Sequence, residues 1–334
     1  MTKIHPKSKW FYRTVTRARH DFDELDVMRR MKWRIAFAGV AAGLATAPVV
    51  TSLTAGNADT GSVPVATPSA PPSPTPPGTE SSSRHSALNE NERARLADAA
   101  ARAVTDSVPG TIVGLALYDT ATGELLASAN GNRQFYTASV VKLLMALDTL
   151  HTGGWHAPSD AQHERIDEML SLSHDGDADS YWNSGGRGSI ITRMAGLMNL
   201  PNTHPPRVSD QWEMTRTTPN DLVTMYRYLN TEVPLEARQP ILDALAAIHS
   251  RAADGFPQHF GIPDGLPEQP RAVKQGWMDI DRAVVLNTTG LVGRDYRYVV
   301  VLLTELPLGT SDAEGRAAVT AGVSALRATL AGLP

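Results

Sequence analysis

The sequence predicts an α+β domain over residues 87–334, a five-stranded antiparallel sheet covered by N- and C-terminal helices beside an all-helical lobe. Three observations predict it. Two strand-like runs, Thr111 to Tyr118 and Glu124 to Ser128, are joined by Asp119-Thr120-Ala121-Thr122-Gly123, a hairpin connection with its turn glycine. Three more, Ala272 to Gly276, Ala283 to Val292 and Tyr296 to Leu306, come only near the C-terminus, the last apolar enough to be central. Helical patterning fills the middle and both ends of this region, the segregated arrangement of α+β domains.

In chain order, residues 1–34 form a basic tail with ten Lys or Arg against four Asp or Glu. Residues 35–56 carry no charge and are rich in Ala, Gly, Val and Leu. Arg29, Arg30, Lys32 and Arg34 precede them, and no positive charge follows until Arg84, which predicts a cytoplasmic N-terminus. The segment is either a single-pass membrane anchor or a cleaved signal peptide. Residues 57–86 turn to Pro, Ser and Thr, a composition that makes a stiff spacer rather than a packed core. The expected location is therefore extracytoplasmic, tethered to the cell membrane or secreted after cleavage.

Asn89-Glu90-Asn91-Glu92 opens an Ala-rich helix running to about Val104, which Pro109-Gly110 ends. After the hairpin, Ser139 to Leu150 (SVVKLLMALDTL) predicts an almost wholly apolar, central helix. A helical, loop-rich middle spans Ala161 to His249, and a last helix runs from Ser311 to about Leu330.

Composition excludes several classes of function. The chain has no cysteine, so disulfides, thiolate catalysis, cysteine-bound metal and a lipid-bearing cysteine are absent from these residues. With formal net charge −4 and a basic N-terminal tail, the remainder is acidic, which argues against nucleic acid as a partner. There is no H-E-x-x-H, no G-x-S-x-G and no phosphate-cradling glycine motif, and neither a metal nor another cofactor is expected. Ser173-His174-Asp175 spells a triad, but adjacent side chains point in different directions and cannot line up as nucleophile, base and orienter.

The chemistry concentrates in Ser139-Val140-Val141-Lys142. Spacing of three puts Ser and Lys on one face of the first helical turn. A serine hydroxyl becomes a useful nucleophile when a base takes its proton. A lysine can be that base when burial or neighbouring positive charge destabilises its ammonium form.

Phe135-Tyr136-Thr137-Ala138-Ser139-Val140-Val141-Lys142, directly after a two-strand hairpin, resembles the serine β-lactamase and penicillin-binding D,D-peptidase superfamily, most of all its class A β-lactamases. The signatures of that superfamily are S-x-x-K, S-D-N and K-T-G. Ser173-His174-Asp175 stands where the second is sought, and Lys274-Gln275-Gly276 opens a strand where the third belongs. Thr217-Thr218-Pro219-Asn220-Asp221 is similar to the helix start that closes the omega loop of these enzymes.

The resemblance implies roles for these residues. Ser139 is the nucleophile, Lys142 the base, Ser173 the proton relay to the leaving nitrogen and Lys274 the holder of a substrate carboxylate. Backbone N–H groups of Ser139 and Trp277, the latter just past Gly276, form the oxyanion hole. Asp175 replaces the usual substrate-contacting Asn, exchanging an amide for an acceptor-only carboxylate and weakening recognition of ordinary penicillins. Gln275 replaces a small hydroxyl residue. Class A enzymes hydrolyse their acyl intermediate with an omega-loop Glu, whereas Glu213 lies four residues from Thr217. The loop thus reads as truncated, and Glu213 reads as an exposed carboxylate.

Three functional classes remain open: a monomeric serine acyl-transfer enzyme acting on a small molecule or peptidoglycan peptide, a degenerate module that binds a cell-wall ligand or partner protein without turnover, and a structural tethered module.

Overall fold

The computed structural model describes residues 88–332. The basic tail, the anchor or signal segment and the Pro-rich linker expected from the sequence lie outside the described residues. No helix among the described residues is long and apolar enough to cross a membrane.

The sheet forms as the apolar runs require. Strands β1 (Ile112–Asp119), β2 (Glu124–Ala129), β5 (Arg271–Ile280), β6 (Ala283–Val292) and β7 (Tyr298–Leu306) make one five-stranded sheet in the order β2-β1-β7-β6-β5. Every pairing is antiparallel, with Leu115 opposite Leu302 and Lys274 opposite Thr289. The C-terminal run is central, as its composition predicts. β5 continues to Ile280, past Gly276, because pairing with β6 carries its ladder through to the Ile280–Ala283 turn.

Two helices cover one face of the sheet, α1 (Glu90–Ser107) and α9 (Asp312–Ser324). The Asn89 side chain accepts the Glu92 N–H at 3.0 Å while the Glu92 carboxylate accepts the Asn89 N–H at 2.8 Å, the reciprocal capping box that fixes the start of α1. Leu96, Ala100 and Val104 bury against Leu302, Val319 and Val323. The predicted C-terminal helix is interrupted. After α9 the Leu326 N–H reaches back to the Val323 carbonyl, and a short helix α10 (Arg327–Gly332) follows, with Arg327 donating two hydrogen bonds to the carbonyl of Gly265, the last residue of the short helix α8 (Ile262–Gly265).

The opposite face carries the helical lobe. Its centre is α2 (Lys142–Thr152), which packs against α3 (Asp160–Ser171), α4 (Asp175–Ser184) and α5 (Gly188–Met198), while α6 (Pro219–Thr231) lies on β1 and β7 and α7 (Leu235–Ala246) on α3 and β5. Leu143, Leu144, Met145, Ala146, Leu147 and Leu150 of α2 are all buried, as an apolar all-round helix demands. Thr218 caps α6 by accepting the Asp221 N–H at 3.1 Å, with Pro219 in the first turn where a missing N–H costs nothing.

A two-stranded element the sequence did not announce lies before α2. β3 (Phe135–Tyr136) pairs antiparallel with β4 (Arg216–Thr217), tying the segment that enters the Ser139 turn to the segment that enters α6.

Candidate active site

Ser139 stands on a 3₁₀ turn, Ala138–Val141, which runs directly into α2. The sequence pattern predicts one continuous α-helix here; the tighter turn instead follows Ala138, a non-glycine residue at φ +45°. Such a conformation costs of order 1–3 kcal/mol and persists only where its surroundings enforce it. Those surroundings are visible. The Thr137 N–H donates to the Thr215 carbonyl at 2.8 Å, and the Asn287 amide donates to the carbonyls of Tyr136 and Thr137.

β5 supplies the opposite wall. Gly276 sits so close to the Ser139 turn that a Cβ there would fall 2.6 Å from the Thr137 carbonyl oxygen. The glycine permits strand and turn to touch. Lys274, two residues earlier, is fully buried. The Thr289 hydroxyl donates to its backbone carbonyl at 3.0 Å and is hydrogen-bonded to the Tyr226 hydroxyl at 2.8 Å. Burial pushes that phenol far above its ordinary range.

The third wall is the start of α4. Ser173 adopts φ +54°, and Asp175 occupies the first position of the helix, where a negative side chain is favoured. The three walls bring five of the predicted residues together. Lys142 Nζ lies 3.1 Å from Ser139 Oγ, 3.2 Å from Ser173 Oγ, 2.6 Å from the Ser173 carbonyl and 2.8 Å from Asp175 Oδ1. Lys274 Nζ lies 2.9 Å from Ser173 Oγ and 3.1 Å from the Gln275 carbonyl. An ammonium has three protons, so Lys142, with four acceptors in reach, cannot satisfy all of them at once.

Electrostatics distinguish the two lysines. Asp175 gives Lys142 a direct counter-charge. Among the described residues no carboxylate pairs directly with Lys274, and burial, then the nearby Lys142 charge, push its ammonium well below the ordinary lysine range.

Other predicted residues lie differently. The Gln275 amide donates to the carbonyls of Gln258 and Phe260, so it anchors the 258–260 loop instead of reaching Ser139. The Trp277 indole stacks on Phe256 with ring centroids 4.7 Å apart and donates to Asp254 at 3.1 Å. Glu213, read from sequence as exposed, is 5% exposed and sits on a 3₁₀ turn, Trp212–Met214, that packs against the Ser139 turn. Its Trp212 was not singled out by sequence reasoning. The Trp212 ring lies 5.0 Å from Lys142 Nζ, and its indole N–H donates to Asp179 at 2.8 Å. An aromatic at that position carries no signal without the tertiary contact.

One group of potential metal ligands occurs among the described residues, Glu168, His174 and Asp177. His174 Nδ1 is 2.6 Å from Asp177, but the Arg165 guanidinium already lies 3.0 Å from the same carboxylate. Burial raises the Asp177 carboxyl, yet hydrogen bonds from His174 and Arg165 outweigh it and leave the carboxyl below its usual range.

The fold is that of the serine β-lactamases and penicillin-binding proteins. It matches the last common ancestor of Gram-negative bacteria class A β-lactamase with TM-score 0.59 at 18% identity, over 71% of this chain and 100% of that one. It matches PBP-A with TM-score 0.56 at 17% identity, over 71% and 97%. A β-lactamase from Chitinophaga pinensis gives TM-score 0.56 at 14% identity, over 71% and 99%. No family model matches the chain. The chain belongs to the family of the mycobacterial protein named "Putative lipoprotein LppW", to which it is 37% identical over 221 residues in both Mycobacterium tuberculosis and Mycobacterium bovis, covering 64% of this chain and 69% of the relative.

Proposed function

We propose that this is an extracytoplasmic, membrane-associated serine acyl-transfer enzyme acting through an acyl-Ser139 intermediate on a small amide, an ester or a peptidoglycan-type peptide. The observation that carries the reading is the convergence of Ser139 Oγ and Ser173 Oγ on Lys142 Nζ, with Lys274 completing the chain beyond Ser173. PBP-A, which shares the fold, is described in an acyl-enzyme complex with penicillin G.

The distances define a proton route. Ser139 Oγ, Lys142 Nζ, Ser173 Oγ and Lys274 Nζ follow one another at 3.1, 3.2 and 2.9 Å. Asp175 favours the ammonium form of Lys142, so Lys142 accepts the Ser139 proton only as it passes one of its own onward. Ser173 takes that proton and gives its hydroxyl hydrogen to Lys274, the lysine whose neutral form is favoured. The attacking oxygen bonds to the substrate carbonyl carbon as its proton leaves. Reverse transfer through Ser173 then protonates the departing nitrogen or oxygen. Backbone N–H groups of Ser139 and Trp277 stabilise the oxyanion.

A second reading, a module that binds without turnover, is favoured by one observation. The Lys142–Asp175 ion pair holds the base in its charged form.

Membrane association rests on the relative's name as a lipoprotein and on residues 35–56. Because the present sequence contains no cysteine, that apolar segment is the candidate tether. Treating the full-length protein with a fluorescent penicillin and with a fluorophosphonate, then mapping adducts by mass spectrometry, tests the enzyme reading. Label on Ser139 is expected; no label with either probe, or label on Ser173, would overturn it.

A further inference from the structure

Beside Tyr136 and Met214, from the two segments that bracket the Ser139 turn, lies a cavity of about 410 Å³ whose lining includes none of the residues of the acyl-transfer chemistry. Its walls are the segments that flank the site. Tyr136 of β3 leads into the Ser139 turn, Gln211 precedes Trp212, Arg216 belongs to β4, and Arg282 lies in the β5–β6 turn. Arg207 and Glu305 complete its charged lining.

The charge balance is one-sided. Glu305 is the single carboxylate in the lining, against Arg207, Arg216 and Arg282. That carboxylate is already shared between Arg282 at 3.4 Å and Arg133 at 3.5 Å. The Arg282 guanidinium also packs over the Tyr136 ring, 5.3 Å from its centroid, which fixes its plane. Asp210, near Arg207 in sequence, pairs instead with Arg187 at 2.8 Å. Among the described residues, no carboxylate forms an ion pair with Arg207 or Arg216. Among the described residues, Arg207 and Arg216 thus line a concave space without a carboxylate paired to either of them. A planar guanidinium matches a carboxylate with two parallel hydrogen bonds, which makes arginine the fitting residue for such a ligand. The volume suits a short peptide side branch, within the range of small-ligand pockets.

We infer that this cavity is a substrate subsite for a carboxylate-bearing substituent, so that the acyl donor is an acidic peptide. The inference rests on the acyl-transfer reading for identifying the ligand as substrate, but the subsite itself binds whether or not Ser139 reacts.

The test uses the full-length Ser139→Ala protein, which cannot be acylated at that position, and two peptides, acetyl-Glu-Glu-Ala-amide and acetyl-Gln-Gln-Ala-amide. The amide C-terminus removes the free carboxylate that Lys274 would hold. Dissociation constants are measured by calorimetry at low and moderate salt. The acidic peptide should bind at least about tenfold more tightly, and the preference should vanish in Arg207→Gln/Arg216→Gln with an unchanged melting temperature. In Arg207→Glu/Arg216→Glu, acetyl-Lys-Lys-Ala-amide should become the tighter ligand. Equal affinities for the acidic and neutral peptides, no binding of the acidic peptide at millimolar concentration, or a preference that survives both arginine substitutions would overturn the proposal. Acidic preference in a protein whose unsubstituted form never labels at Ser139 would leave the subsite standing and sink the acyl-transfer reading alone.

Discussion

Lys142 and Asp175 form an ion pair of 2.8 Å in which the lysine has no exposed side-chain surface and the aspartate retains 23% of its own. A carboxylate at that distance stabilises the ammonium and opposes its use as a base. Asp175→Asn should therefore raise the rate of Ser139 labelling severalfold, because the counter-charge beside Lys142 is then gone. Pseudo-first-order labelling rates at pH 7 would measure this. An unchanged or lower rate would mean that Asp175 does not restrain Lys142.

Ser139→Ala should abolish labelling, and Lys142→Ala should slow it by about 10²–10⁴, the usual contribution of a positioned general base. Lys274→Ala should also slow it, because the proton route then ends at Ser173. Full labelling rates in Lys274→Ala would cut Lys274 out of the proton route and leave it only a binding role.

Gly276→Ala tests the contact between β5 and the nucleophile turn. The added methyl would meet the Thr137 carbonyl oxygen at 2.6 Å, so the variant should lose about 1–3 kcal/mol in urea unfolding, as overpacking does, and lose labelling with it. Gly196→Ala, where nothing lies within 4 Å in the last turn of α5, is the matched control and should be neutral or slightly stabilising.

The hydrogen bonds and charge of Arg297 hold buried Asp119 below its usual carboxylate range. Burial alone pushes the group up, but the guanidinium at 2.7 and 2.9 Å and the Ala121 N–H outweigh it. Because the folded state protonates at a lower pH than the unfolded one, the contribution of this group to stability is complete above about pH 4. It is lost as pH falls through the folded value. Asp177 acts with the same sign. Asp119→Asn should therefore lower the urea midpoint at pH 7 and narrow its difference from the parent at pH 2.5. Parallel pH profiles of the two proteins would contradict this.

Much of this architecture was legible in the chain. Apolar strands and capped helices announce themselves through local rules, so the five strands, the Asn89 start and the Thr218-Pro219 start all lie within a few residues of their expected places. The Ser139, Lys142, Ser173, Asp175 and Lys274 cluster was legible as motif spacing. What could not be read depends on contacts distant in sequence. The 3₁₀ turn at Ser139 follows from Thr137 and Asn287 tethers, and β3 and β4 are two residues each, too short to show alternation. Gln275 turns to the 258–260 loop because its carbonyls lie there to accept from the amide. The burial of Glu213 follows from Trp212 being drawn in over Lys142.

The strand order also bears on how the chain comes together over time. β1 emerges early in synthesis, yet one of its two neighbours in the sheet, β7, follows only after the whole helical lobe and two further strands have been made. Pairings so remote in sequence form slowly, because the loop must close before any contact rewards it. A nascent chain halted before Tyr298 leaves both β1 and β6 without their shared neighbour, with long open edges. Until β7 is made, the β1–β2 hairpin and the β5–β6 hairpin have no shared strand between them, so closure of the sheet waits on that one strand.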